Sequence, residues 1–128
     1  MSGEADAIVS ATIAKWCAGF ATLDAVALSS LYSKNAFFFG SNPKLYRGRD
    51  GVAEYFNGLP RWREPGAAFS DVQAAQAGPD LINMGATITF NFAGERSDLV
   101  VKMSWVIIRE DGDWKIVNHH ASAKAPLI

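Results

Sequence analysis

The sequence predicts an α+β fold in which helices pack on one face of a curved antiparallel sheet. Three observations predict it. Apolar residues recur at three- and four-residue steps in the first part of the chain and at every second position in the rest. Turn-forming clusters at Gly78 to Asp80, Gly94 to Glu95 and Glu110 to Asp113 cut the later part into strands of hairpin length. With 128 residues and 49% hydrophobic content, the chain has enough apolar material for one sizeable core, so 1–128 reads as one domain.

From Glu4 to Phe20, the residues Ile8, Val9, Ile13, Trp16, Cys17 and Phe20 mark an amphipathic helix with a wide buried face. Gly19 and Thr22 mark its end. Asp24 is placed to cap a second, shorter helix running through Leu28 to Leu31. Phe37 to Phe39 reads as a short buried strand, stopped by Gly40, Ser41, Asn42 and Pro43. Arg47 to Asp50 forms a turn whose Asp50 can cap a third helix carrying Val52, Tyr55 and Phe56, and Pro60 ends it. A polar loop from Arg61 to Gly66 carries Trp62 and has the character of a lid.

Ala68 to Ala77 is a weak strand. Leu81 to Ala93 is the clearest one, with Ile82, Met84, Ala86, Ile88, Phe90 and Phe92 on one face. In Arg96 to Arg109, Leu99, Val101, Met103, Trp105 and Ile107 share a face, and Val100, Lys102, Ser104, Val106 and Ile108 share the other. A strand apolar on both sides needs two covers. Either Leu99, Val101, Met103 and Ile107 or the opposite row is therefore an interface candidate. Trp114, Ile116 and Val117 then begin the last strand.

A formal charge of −1, with 12 basic and 13 acidic residues scattered singly, excludes the concentrated basic face that nucleic acid needs. No apolar run is long enough for a membrane span and no leader precedes the first helix, so a soluble cytoplasmic protein is expected. The single cysteine, Cys17, excludes an internal disulfide and reads as a small buried thiol.

Both histidines lie in the last strand. Alternation places Trp114, Ile116, Asn118, His120 and Ser122 on one side and Lys115, Val117, His119 and Ala121 on the other. A polar trio continuing an apolar row is the pattern of a core opening into a pocket. His120 is thus the candidate for acid–base work or ligand hydrogen bonding, with Asn118 and Ser122 to orient it or touch the ligand. The alternative is an interior histidine satisfied by a backbone carbonyl. His119 is expected at an interface or on the surface. Neighbouring strand histidines diverge and no cysteine cluster completes a ligand set, so neither a metal nor another cofactor is expected.

The order of elements resembles the nuclear-transport-factor-2-like superfamily, in particular its SnoaL-like and calcium/calmodulin-dependent kinase II association-domain branch. Leu31 to Ala36, Tyr46 to Gly51 with Glu54 to Phe56, the Asp111 to Trp114 turn, and Ile116 to Ser122 followed by Pro126 carry the resemblance. It implies a cone-shaped sheet wrapped around the first helix, a blind pocket at the open end, and homodimers built sheet to sheet. It also implies a small-molecule-binding protein of largely apolar pocket, with isomerase, cyclase or dehydratase chemistry as its enzymatic form. An assembly module with a vestigial pocket is the alternative.

Ketosteroid-isomerase chemistry is rejected, because its general base belongs at Phe39 or Gly40, where there is no acid. An epoxide-hydrolase arrangement would draw on Asp71, Arg96 and Asp98, of which the last two read as a solvated pair. In the kinase branch an Arg on the matching strand binds anions; Trp105 stands in that register, so anion binding does not carry over. Arg47 and Arg49 are read as solvated. Trp16, Tyr32, Phe39, Tyr55, Trp62 and Trp105 are the aromatic candidates for a ligand wall.

Overall fold

The helical rhythm of the N-terminal segment folds as α1 (Gly3–Ala21), burying Ala5, Val9, Trp16, Gly19 and Phe20. The structure, a computed structural model, describes residues 3–94 and 98–128. Gly19 is buried inside the helix because α2 (Ala25–Ser29) presses on it; a Cβ there would meet Leu28 Cγ at 3.0 Å. Asp24 caps α2 as expected, its carboxylate accepting from the Ala27 N–H at 3.0 Å. The helix stops at Ser29, short of Leu31.

Strand β1 (Tyr32–Phe39) is longer than the aromatic run alone suggested, and a short β2 (Leu45–Arg47) returns against it. Helix α3 (Gly48–Asn57) starts two residues before Asp50, which lies in its first turn; the N-cap is Arg47, without a side-chain cap bond. Then come β3 (Gly66–Gly78), β4 (Leu81–Asn91), β5 (Leu99–Glu110) and β6 (Asp113–Ala123). Asp111 and Gly112 join β5 to β6 with φ of 53° and 84°, the two left-handed residues of a type I′ hairpin.

The sheet order is β2-β1-β6-β5-β4-β3. The α+β class and its curved sheet are as expected, with one addition: β1 pairs with β6 in parallel, so the sheet is mixed. α1 packs on β3, and α3 packs on β1 and α2. The inward row of β4 holds as read, with Ile82, Met84 and Ile88 buried. In β5 the row of Trp105, Met103 and Ile107 is core, each burial contributing about 1.5–3 kcal/mol. Met103 and Ile107 are thus unavailable to a partner, and the outward row is Val100, Lys102, Ser104, Val106 and Ile108.

Arg49 is also not simply solvated. Its guanidinium bonds Glu110 at 3.0 Å and the Tyr32 carbonyl at 2.9 Å. No helix among the described residues is long and apolar enough to cross a membrane.

Candidate functional site

Between α1, α3 and the inner sheet face lies a cavity of about 270 Å³. Its depth is apolar: Trp16 and Phe20 from α1, Ile88 and Phe90 from β4, Val101 and Met103 from β5. Phe38, Ser41 and Tyr55 form the wall on the β1 and α3 side, and Trp62 closes in from the loop, its ring 4.5 Å from that of Phe92. No charged side chain is among the described residues that line it. Gly40 is required where β1 ends, since a Cβ there would sit 2.5 Å from the Tyr55 ring.

The histidine that reaches this cavity is His119. Strand β6 pairs Ile116 with Ile107 and then Asn118 with Val106, leaving Val117 as an extra residue. This β-bulge inverts the alternation for everything after it. His119 turns inward opposite Trp105 and is 4% exposed, whereas Asn118 and His120 turn outward and are exposed. His120 stands beside Phe39, ring centroids 5.2 Å apart, outside the cavity.

The placement expected for His120 and Asn118 is therefore corrected, and that of Phe39 with them: Phe38 takes the inner position. Trp16, Tyr55 and Trp62 line the cavity. Ser122 lies at its rim, from a register position opposite Lys102 on the outward row. Tyr32 and Trp105 are fully buried behind His119 and do not line it.

Two features of the sequence carried the inversion. The adjacent β-branched pair Ile116 and Val117 breaks the alternation. Beyond it Asn118, His120 and Ser122 form an unbroken polar row, as a solvated face does.

His119 has a fixed electronic state. Its Nδ1 lies 3.0 Å from the indole nitrogen of Trp105 and 2.8 Å from the hydroxyl of Tyr32. An indole N–H can only donate, so Nδ1 must present its lone pair. The Tyr32 hydroxyl accepts from the Trp16 indole at 3.0 Å and so donates onward to the same Nδ1. Burial, together with the nearby charge of His120, lowers the His119 pKa to about 3. The ring is neutral, and its one N–H is on Nε2. It stacks on Phe38, centroids 4.0 Å apart at 24°. Burial likewise pushes the Tyr32 phenol well above its usual value.

This arrangement donates hydrogen bonds but lacks a ready base. Nδ1 is occupied by two donors, and Nε2 already carries a proton. Neither Asp71, exposed on the β3 bulge, nor Asp98, also exposed, approaches the cavity; Arg96 lies outside the described residues. Cys17 donates to the Ala67 carbonyl at 3.4 Å, and burial pushes its thiol pKa up, away from a nucleophile's range. Among the described residues no group of three metal-ligating side chains occurs.

The comparisons agree with this architecture. The model of the SnoaL-like domain matches residues 9–126, and the chain belongs to that family. No curated protein matches. Among solved structures, a Xanthomonas campestris protein assigned as a calcium/calmodulin-dependent protein kinase II association domain is 23% identical, covering 94% of this chain and 87% of its own, with a TM-score of 0.83. A Streptomyces avermitilis protein of the NTF2-like family, assigned as a dehydratase, is 16% identical, covering 98% and 100%, at 0.84. A Novosphingobium aromaticivorans protein assigned as a scytalone dehydratase is 14% identical, covering 94% and 84%, at 0.81. These likenesses establish a nuclear-transport-factor-2-like fold. Proteins assigned to small-molecule chemistry share it.

Proposed function

We propose that the protein binds a small, mostly apolar organic molecule in the cavity bounded by Trp16, Phe38, Tyr55, Trp62 and His119. The observation that carries this reading is an apolar hollow without lining charge, into which one neutral imidazole is held. At about 270 Å³ the hollow lies at the small end of ligand clefts. A compact ring system fits it better than an extended chain. Isomerisation, cyclisation or dehydration would have to use His119 as a donor, since the lining supplies no carboxylate.

Self-association belongs to the same proposal, through the outer sheet face rather than the row of Met103 and Ile107. Val100 there is 39% exposed, with Val106 and Ile108 beside it on the outward row.

Titration with ethylbenzene tests the cavity directly, followed by proton–nitrogen correlation spectra of the labelled protein. Saturable shifts are expected at the amides of Ile88, Val101 and Ala121, and Ala121→Trp, which fills the hollow, should remove them. Shifts that stay linear and scattered over the surface would remove the reading.

A further inference from the structure

Trp105 reaches no solvent, and its indole N–H is directed to His119 Nδ1. Tyr32 is equally enclosed; its hydroxyl accepts a hydrogen bond from the Trp16 indole and donates one to the same nitrogen. Two donors, Trp105 directly and Tyr32 backed by Trp16, thus converge on one lone pair. If the imidazole carried its proton on Nδ1, the Trp105 N–H would face another N–H and remain buried without an acceptor. The relay therefore does more than fill the core. It decides which nitrogen of His119 holds the proton, and the cavity sees the consequence.

We propose that Trp105 and Tyr32 act as positioning residues that hold His119 in its Nε2–H form, so that the site prefers small apolar ligands bearing an uncharged oxygen acceptor, such as a ketone, over the matching hydrocarbon or carboxylate. The preference rests on the reading of the cavity as a ligand site. A ketone oxygen accepts from Nε2–H and leaves the rest of the molecule against Phe38, Ile88 and Met103. A hydrocarbon of equal size leaves that donor unused. A carboxylate must shed its hydration in a hollow with no lining cation to replace it.

The test compares acetophenone, ethylbenzene and benzoate by titration of the labelled protein, with the nitrogen-15 shifts of His119 read in the same samples. The wild type should show a protonated Nε2 and an unprotonated Nδ1. It should bind acetophenone about tenfold more tightly than ethylbenzene, and benzoate least. Trp105→Phe should move the Nδ1 and Nε2 shifts towards a mixture of tautomers and cut the ketone preference several-fold. His119→Gln, which keeps an N–H donor, should retain part of the preference, and His119→Phe should abolish it. A proton found on Nδ1 in the wild type would overturn the inference, and so would equal affinity for ketone and hydrocarbon. Absence of saturable binding by all three probes would remove the ligand site itself and this preference with it; equal binding removes the preference alone.

Discussion

Tyr32 and Ser33 are neighbours at the start of β1, both fully buried, yet their side chains serve two different clusters. Tyr32 feeds the neutral relay to His119 behind the cavity. The Ser33 hydroxyl instead bonds the Glu110 carboxylate at 2.6 Å, at the closed end where β5 turns into β6. The same carboxylate accepts from the Lys34 amide at 3.2 Å and from Arg49 at 3.0 Å. One cluster is built wholly of neutral donors ending on one acceptor. The other buries an ion and surrounds it with donors, leaving its side chain 8% exposed. The fold thus places this nearly buried ion at the β5–β6 turn and keeps the hollow free of lining charge.

The two clusters should separate most clearly in acid. An unfolded chain protonates its imidazoles near pH 6.5, whereas His119 in the fold takes a proton only near pH 3. Between these values the unfolded chain binds more protons. Stability from the neutral His119 is therefore complete above about pH 6.5 and is lost as pH falls, by about 1.4 kcal/mol per pH unit. The Glu110 carboxyl is held below its ordinary value by the Ser33 hydroxyl first, then by the Lys34 amide and Arg49. Its contribution has the same direction but fades only below about pH 4.5. Urea denaturation at pH 6.5 and 4.5 should show a drop of about 2–3 kcal/mol in the wild type, largely absent in His119→Gln. An equal drop in both proteins would break the contrast.

Glu110→Ala comes next in size. It leaves Ser33 without its partner and removes the anion facing Arg49, which is 41% exposed and partly compensated by water. A loss of about 2 kcal/mol in denaturant is expected. Affinity for acetophenone should stay within twofold of the wild type, because the carboxylate is at the closed end of the sheet. A matching loss of affinity would mean that the two ends are mechanically one.

How far the sequence could be read differs between these regions in the same way. The 3.6 period of α1, the period of 2 in β4 and β5, the Asp111 and Gly112 hairpin, and the Asp24 cap are local properties, and these appear in the fold where the residues placed them. The pairing of β1 with β6 joins residues more than eighty positions apart, so no local pattern announces its parallel sense. The ion cluster joins Ser33, Arg49 and Glu110 across similar gaps, and each alone resembles a surface residue. The cavity aromatics Trp16 and Tyr55 were legible as large side chains of helices, and Trp62 as the aromatic of a lid-like loop. The histidine was not, because strict alternation cannot anticipate one inserted residue. Val117 displaced the reading by a single position and exchanged His119 for His120; in β1 plain alternation holds from Tyr32 through Ala36 to Phe38, and Phe39 falls on the other parity.

The smallest expected effect gives the sharpest check on that exchange. His120→Ala removes an exposed ring that stands beside Phe39, and it should change acetophenone affinity less than twofold. It should still leave a trace inside the protein. Part of the depression of the His119 pKa comes from the positive charge of the neighbouring His120 ring, after the larger cost of burying an imidazolium. Without that neighbouring charge, His119 should titrate at a slightly higher pH, read from its carbon-bound ring protons, with ligand affinity unchanged at neutral pH. A marked loss of affinity would place the 120 ring at the ligand and return Val117 to the regular alternation. Unchanged affinity with the small upward titration shift fits two imidazoles on opposite faces of one strand, only the inner one meeting the cavity.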